Sequence, residues 1–199
     1  MKKIPTLFVR DEEDRRYVTR EVNPACQWVI DGEGIVTRKY DGTCVMFDGE
    51  RWWARREVRP GKAAPPYYVP VDHDNVTGKT VGWEPIEQSA FVKYHAEVLR
   101  IWRNLHAAFS HDPMETRPGT YELFGPKING NPENAENHKM YRHGDIGHYD
   151  AEELMLAPRD FDNLADWLYE HPGWEGLVWH HPDGRMAKIK RKDFPRSAV

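Results

Sequence analysis

A lysine two residues before an Asp-Gly pair, Lys39–Tyr40–Asp41–Gly42, is the first pattern in this sequence with the makings of covalent chemistry. A lysine attacks as a nucleophile only when its amine is neutral, which takes burial or nearby positive charge. A neutral amine at a strand end could attack the α-phosphate of ATP and form a phosphoramidate. Alone the pattern is weak, because Asp31–Gly32, Asp48–Gly49 and Asp183–Gly184 read as ordinary hairpin turns. It gains force from residues further along the chain, in the order Arg55, Glu122, Glu175, Lys188 and Lys190. Arg55 offers a fixed fork of donors for a phosphate or ribose oxygen. Glu122, acceptor-only when ionised, suits a ribose hydroxyl. Glu175 is a hard oxygen ligand of the kind Mg²⁺ takes sparingly among its waters. Lys188 and Lys190 lie two apart, so on a strand they share one face. Singly, each of these is as well explained as a surface carboxylate or an exposed strand edge.

The elements that must carry these residues are mostly short strands. Ile4–Val9, Gln27–Ile30, Ile35–Lys39, Thr43–Phe47, Arg51–Ala54, Thr120–Phe124, Gly176–His180 and Arg185–Lys190 are rich in β-branched and aromatic residues. The spacing of Phe91, Tyr94, Val98, Ile101, Trp102 and Leu105 predicts a helix over 91–109. A second helix is expected after Asp160, a capping residue, with Leu164, Trp167 and Leu168 inward. Pro60–Pro70 and Gly125–Asn137 read as long loops. The expected fold class is α+β, mainly antiparallel sheets flanked by helices, as one domain over 1–199.

Composition sets bounds. The 199 residues suffice for one sizeable core, and 39% hydrophobic with 30% charged is ordinary for a globular domain. The absence of a signal-like start or a long apolar run predicts a soluble protein off the membrane, and two cysteines fit a reducing cytoplasm. A net charge of −4 argues against a non-specific nucleic-acid coat. Basic residues nonetheless cluster at Arg51, Arg55, Arg56, Arg59 and Lys62, and from Lys188 to Arg196. Ten histidines suggest zinc, notably His138, His143, His148, His180 and His181. That reading is set aside, because adjacent His180 and His181 point to opposite faces of a strand and no cysteines lie nearby.

The ordered set Lys39, Arg55, Glu122, Glu175, Lys188 and Lys190 resembles the covalent nucleotidyltransferase superfamily of DNA ligases, RNA ligases and capping enzymes. Longer stretches sharpen the match: Lys39 to Cys44, Gly82–Trp83–Glu84–Pro85, Ile128 to Pro132 and Glu175 to His180. They are similar to the small 5′–3′ RNA ligases of vertebrates, phages and bacteria. The resemblance implies an ATP-dependent RNA ligase with Mg²⁺ or Mn²⁺, acting on RNA 5′-phosphate and 3′-hydroxyl ends without an obligate protein partner. It implies a lysyl-AMP on Lys39, nucleotide contacts from Arg55, Glu122, Phe124 (by stacking on adenine), Lys188 and Lys190, and metal placement by Glu175. Catalytic roles fall to Lys39, Lys188 and Lys190. Only nine residues follow Lys190, so no C-terminal oligonucleotide-binding domain is expected, and Arg191, Lys192 or the basic loop 56–62 are candidates to orient pyrophosphate. Rival expectations are a GTP-using capping-type transferase, an end-binding module without chemistry, and a protein that adenylylates itself and passes AMP to another acceptor.

Overall fold

The computed structural model describes residues 2–109, 117–145 and 151–195. In chain order it runs β1 (Phe8–Arg10), β2 (Val18–Val22), α1 (Gln27–Ile30), β3 (Ile35–Lys39), β4 (Thr43–Phe47), β5 (Trp52–Val58), β6 (Val69–Asp74) and β7 (Lys79–Pro85). There follow α2 (Val92–Phe109), β8 (Gly119–Phe124), β9 (Lys139–Arg142), α3 (Ala151–Met155), α4 (Phe161–Glu170), β10 (Gly176–His180) and β11 (Met186–Lys190). All the strand pairs are antiparallel, apart from an isolated parallel bridge between Thr6 and Lys188. The class is α+β, as the strand-rich pattern implied. The chain divides into two compact units, one of Met1–Lys3 with Asp41–His143, the other of Ile4–Tyr40 with Gly144–Val199.

The first unit is built on a six-stranded sheet in the order β6-β7-β5-β4-β8-β9. One face buries Val45, Trp52, Ala54, Tyr121 and Leu123 against Val98, Tyr94 and Trp102 of α2. Strand alternation sends Cys44, Arg55 and Glu122 to the other face. Leu105, expected on the inward stripe of α2, is exposed.

The second unit carries a three-stranded sheet, β11-β10-β3. Leu177, Trp179, Ala187 and Ile189 leave one face for a core shared with Leu164 and Leu168 of α4. The lysines alternate with these residues and take the opposite face. The N-terminal stretch is pinned beside β11, since Leu7 N–H donates to Lys188 O at 2.8 Å and Lys188 N–H to Pro5 O at 3.0 Å.

Two expectations about elements need correction. Gln27–Ile30 is helical, because Asn23–Pro24 starts a helical turn: Asn23 Oδ1 accepts the Ala25 N–H at 3.1 Å and proline supplies a ready φ. The strands β2, β6 and β9 arise from Arg-, Asp- and Lys-bearing runs whose side chains are mostly exposed or half-exposed, so apolar composition did not mark them, while β7 is buried from Gly82 to Pro85. Asp160 does cap α4, its Oδ1 accepting the Asn163 N–H at 3.1 Å.

Candidate active site

Lys39, Lys188 and Lys190 share one face of the three-stranded sheet. Gly176 on β10 pairs with Lys190 on one side and Lys39 on the other, so the three form one transverse row, with Val178 between Lys188 and Thr37 in the next. Gly176 is required there: a Cβ would sit 2.0 Å from Ile189 O. Immediately before it, Glu175 is mostly buried and reaches both flanking lysines. Its Oε2 accepts from Lys39 Nζ and its Oε1 from Lys190 Nζ. Lys39 Nζ also lies 3.4 Å from Tyr40 O. Burial would raise the Glu175 pKa, but the Lys39 and Lys190 ammoniums outweigh it and hold the carboxyl below its usual value.

Lys188 is the odd member. Its ammonium makes no hydrogen bond or ion pair among the described residues, while burial, then Lys190 and Lys39, push its pKa down to about 8. Three lysines against one carboxylate leave an excess of positive charge at a partly buried floor, which is a place for an anion such as phosphate. Beyond β11, Lys190 N–H donates to Asp193 Oδ2 at 3.0 Å, and Asp193 pairs with Arg10 at 2.9 Å. Arg191 and Lys192 lie on this closing turn. Arg196 lies outside the described residues, as does His148.

On the six-stranded sheet the register sets another row. Trp83 pairs with Arg55, Cys44 with Glu122, and Glu122 with Tyr141. Val45 pairs with Ala54, so one step on Cys44 lies opposite Arg55, and the row runs Trp83, Arg55, Cys44, Glu122, Tyr141. Arg55 and Glu122 are thus two strands apart, about 10 Å, on one face. Arg56, on the other parity, is exposed. The Arg55 Nε is buried without a hydrogen-bond partner among the described residues, a donor left unmatched. Phe124, two residues from Glu122 and on its face, is 3% exposed, with the Tyr141 ring set edge-on at 5.2 Å. Its ring is covered, not offered as an open stacking surface.

Glu122 holds the Asp41–Gly42 turn. Its Oε1 accepts the Gly42 N–H at 3.1 Å and its Oε2 lies 3.0 Å from His143 Nε2. Glu133 Oε1 accepts the Asp41 N–H at 2.7 Å. The Asn129 amide donates to Asp41 Oδ1 at 3.0 Å and to Gly42 O at 2.9 Å, so the Ile128–Pro132 loop clamps this turn. Gly32, Gly49 and Gly184 sit at positive φ, as turn glycines do, whereas Gly42 does not. Gly42 is glycine because a Cβ would meet Leu123 O at 2.3 Å. This Asp-Gly differs physically from the other three.

The histidines considered for zinc have separate partners: His138 with Glu97, His143 with Glu122 and Thr120, His180 with Thr37, His181 with Glu33. No group of three or more His, Cys, Asp or Glu fit to hold a metal exists among the described residues. Among those residues, too, no helix is long and apolar enough to cross a membrane.

With this geometry in view, comparison with known proteins is decisive for kinship. The family model for RNA ligase 1 matches residues 65–196. The chain belongs to the RNA ligase 1 family. The matched span includes Glu122, Phe124, Glu175, Lys188 and Lys190, while Lys39 and Arg55 precede it. Among relatives, the RNA ligase 1 of Mus musculus is 28% identical over 158 residues, 71% of this chain and 46% of that protein. That of Danio rerio is 28% identical over 161 residues, with the same coverage, 71% and 46%. That of Pongo abelii is 28% identical over 141 residues, 61% of this chain and 42% of that protein. The chain therefore spans about half the length of the RNA ligase 1 relatives it matches.

Proposed function

We propose that this chain is the adenylyltransferase domain of an ATP-dependent RNA ligase, joining a 5′-phosphate to a 3′-hydroxyl through a lysyl-AMP on Lys39. The observation that carries the reading is the lysine face: Lys39 and Lys190 bracket Glu175 across Gly176 with Lys188 beside them, in a chain of the RNA ligase 1 family.

In the first step the Lys39 nitrogen attacks the α-phosphorus of ATP. An N–P bond forms, the P–O bond to pyrophosphate breaks, and the amine loses a proton. A salt-bridged ammonium has no lone pair to give, so Lys39 must first pass a proton to Glu175 or to water, and the pair must then open. An incoming triphosphate supplies the reason, since it competes with Glu175 for Lys39 and Lys190. In the second step an oxygen of the RNA 5′-phosphate attacks the same phosphorus, the N–P bond breaks and Lys39 is restored. In the third the RNA 3′-hydroxyl attacks the 5′-phosphorus, and AMP leaves. Lys188 and Lys190 stabilise the charge on the α-phosphate in each step. Glu122 and Arg55 provide acceptor and donor for the nucleotide's ribose and phosphates, and the unmatched Arg55 Nε fits that use.

Mg²⁺ commonly binds one or two carboxylates together with substrate phosphates. Glu175, the carboxylate on the lysine face, fits such a shared site better than an all-protein cage. The metal would neutralise charge on the departing pyrophosphate.

Intact-protein mass spectrometry with Mg²⁺ and ATP or GTP tests the reading. An AMP adduct from ATP alone, lost in Lys39→Ala, together with sealing of 5′-phosphorylated RNA, is expected. An adduct without RNA sealing would instead favour an AMP acceptor other than RNA, and no adduct from a folded, AMP-free protein would favour an end-binding module.

A further inference from the structure

The grip on Glu122 involves a histidine to which the proposed reaction gives no role. An ionised carboxylate only accepts hydrogen bonds, so the His143 nitrogen that faces Glu122 Oε2 at 3.0 Å must carry a proton. In the neutral ring Nδ1 is then an acceptor, and Thr120 Oγ1 stands 2.9 Å from it with an O–H to give. Thr120 also fixes the histidine backbone, its carbonyl accepting the His143 N–H at 2.9 Å. Thr120 and Glu122 are two apart on β8 and share a face. Arg142 pairs with Tyr121, so His143 continues the ladder opposite Thr120 and sits diagonal to Glu122, within reach of its carboxylate. The Glu122 and His143 side chains are 14% and 25% exposed, which leaves the carboxylate open on one side only.

We propose that His143 is a positioning residue for the nucleotide. Held by Thr120, it fixes the rotamer of Glu122 so that the lone pairs left over after Gly42 and His143 are turned toward a bound ribose. This rests on the reading of Glu122 as a nucleotide contact. The function of His143 lies in its Nε2–H, not in metal binding and not in proton transfer. Loss of that donor frees the Glu122 side chain and weakens ATP binding, while leaving the lysine chemistry intact.

The test compares ATP affinity at equilibrium, and the KM and maximal rate of adenylylation, for the unaltered chain, His143→Ala, His143→Gln, Thr120→Val and Glu122→Gln, with unfolding followed in each. His143→Ala should raise the ATP Kd and KM about tenfold, the loss of one hydrogen bond to a charged group, with the maximal rate little changed. His143→Gln, whose amide can place an N–H near the Nε2 position, should recover most of the affinity. Thr120→Val should lie between, and it keeps the experiment decisive if His143→Ala fails to fold. Unchanged affinity in both His143→Ala and Thr120→Val, beside a weakened Glu122→Gln, would overturn the role of His143 alone. Unchanged affinity in Glu122→Gln would overturn the reading of Glu122 and this proposal with it.

Discussion

Glu175, just before β10, and Glu122, within β8, are both largely enclosed carboxylates, yet they are held in opposite ways. Glu175 is gripped by two ammoniums, with a third lysine nearby that it does not touch. Glu122 is held by a backbone N–H and an imidazole. The lysine face is charge-imbalanced, and in the proposed mechanism its ion pairs part before Lys39 reacts. Around Glu122, a backbone N–H and a histidine hold one carboxylate in place. The contrast separates a region built to be disturbed by an anion from one built to stay fixed. Both use a glycine for the same reason, since a backbone carbonyl occupies the space where a Cβ would go.

The largest expected effect comes from removing the counter-charge. Glu175→Ala should cost about 3 kcal/mol of unfolding free energy, because it leaves partly buried lysines unpaired. Glu122→Ala should cost only about 1 kcal/mol, the net worth of ordinary hydrogen bonds. Urea unfolding checks the pair, and equal losses would erase the distinction. Next, Gly176→Ala and Gly42→Ala should each cost about 2 kcal/mol by forcing strands apart at Ile189 O and Leu123 O, read from the same curves.

Lys188→Met should act with the opposite sign. The folded pKa of Lys188 is pushed down to about 8 from 10.5, so the folded state pays for charging it wherever the amine is protonated. That cost is fully present below pH 8 and fades as pH rises toward 10.5, where the unfolded chain still binds the proton and the folded one does not. The unaltered chain should therefore gain stability across pH 8 to 10.5 relative to Lys188→Met. At pH 7 the variant should be the more stable by roughly 2 kcal/mol, while its adenylylation is lost. Stability measured against pH for both proteins decides it; a variant less stable at pH 7 would mean that Lys188 is not under strain. An effect as small as that of Glu122→Ala, about 1 kcal/mol, should come from Asn129→Ala, for the two hydrogen bonds on the Asp41–Gly42 turn.

Much of this was legible in the residue order. The strands Ile35–Lys39, Thr43–Phe47 and Gly176–His180 could be read from their β-branched and aromatic content to the residue. Lys188 and Lys190 fall on one strand face, as their spacing of two required. The charged strands β6 and β9 were not legible, because pairing within a sheet, not apolar composition, makes them strands. The partners of the site residues were hidden too. Nothing local in the sequence ties Lys39 to Glu175 136 residues away, or Gly42 to Glu122 80 residues away. His143 looked like one histidine among ten until the register of β8 and β9 set it opposite Thr120.

The most direct test of the central claim is to locate the adduct. Lys39 is ion-paired, whereas Lys188 has no partner among the described residues and a pKa pushed toward neutrality, so burial and charge alone would single out Lys188 as the readier nucleophile. After incubation with ATP and Mg²⁺, proteolysis and peptide sequencing by mass spectrometry would show which lysine carries AMP. The account predicts the modification on Lys39, on the peptide that contains Tyr40–Asp41–Gly42. AMP on Lys188, with Lys39 unmodified, would contradict it.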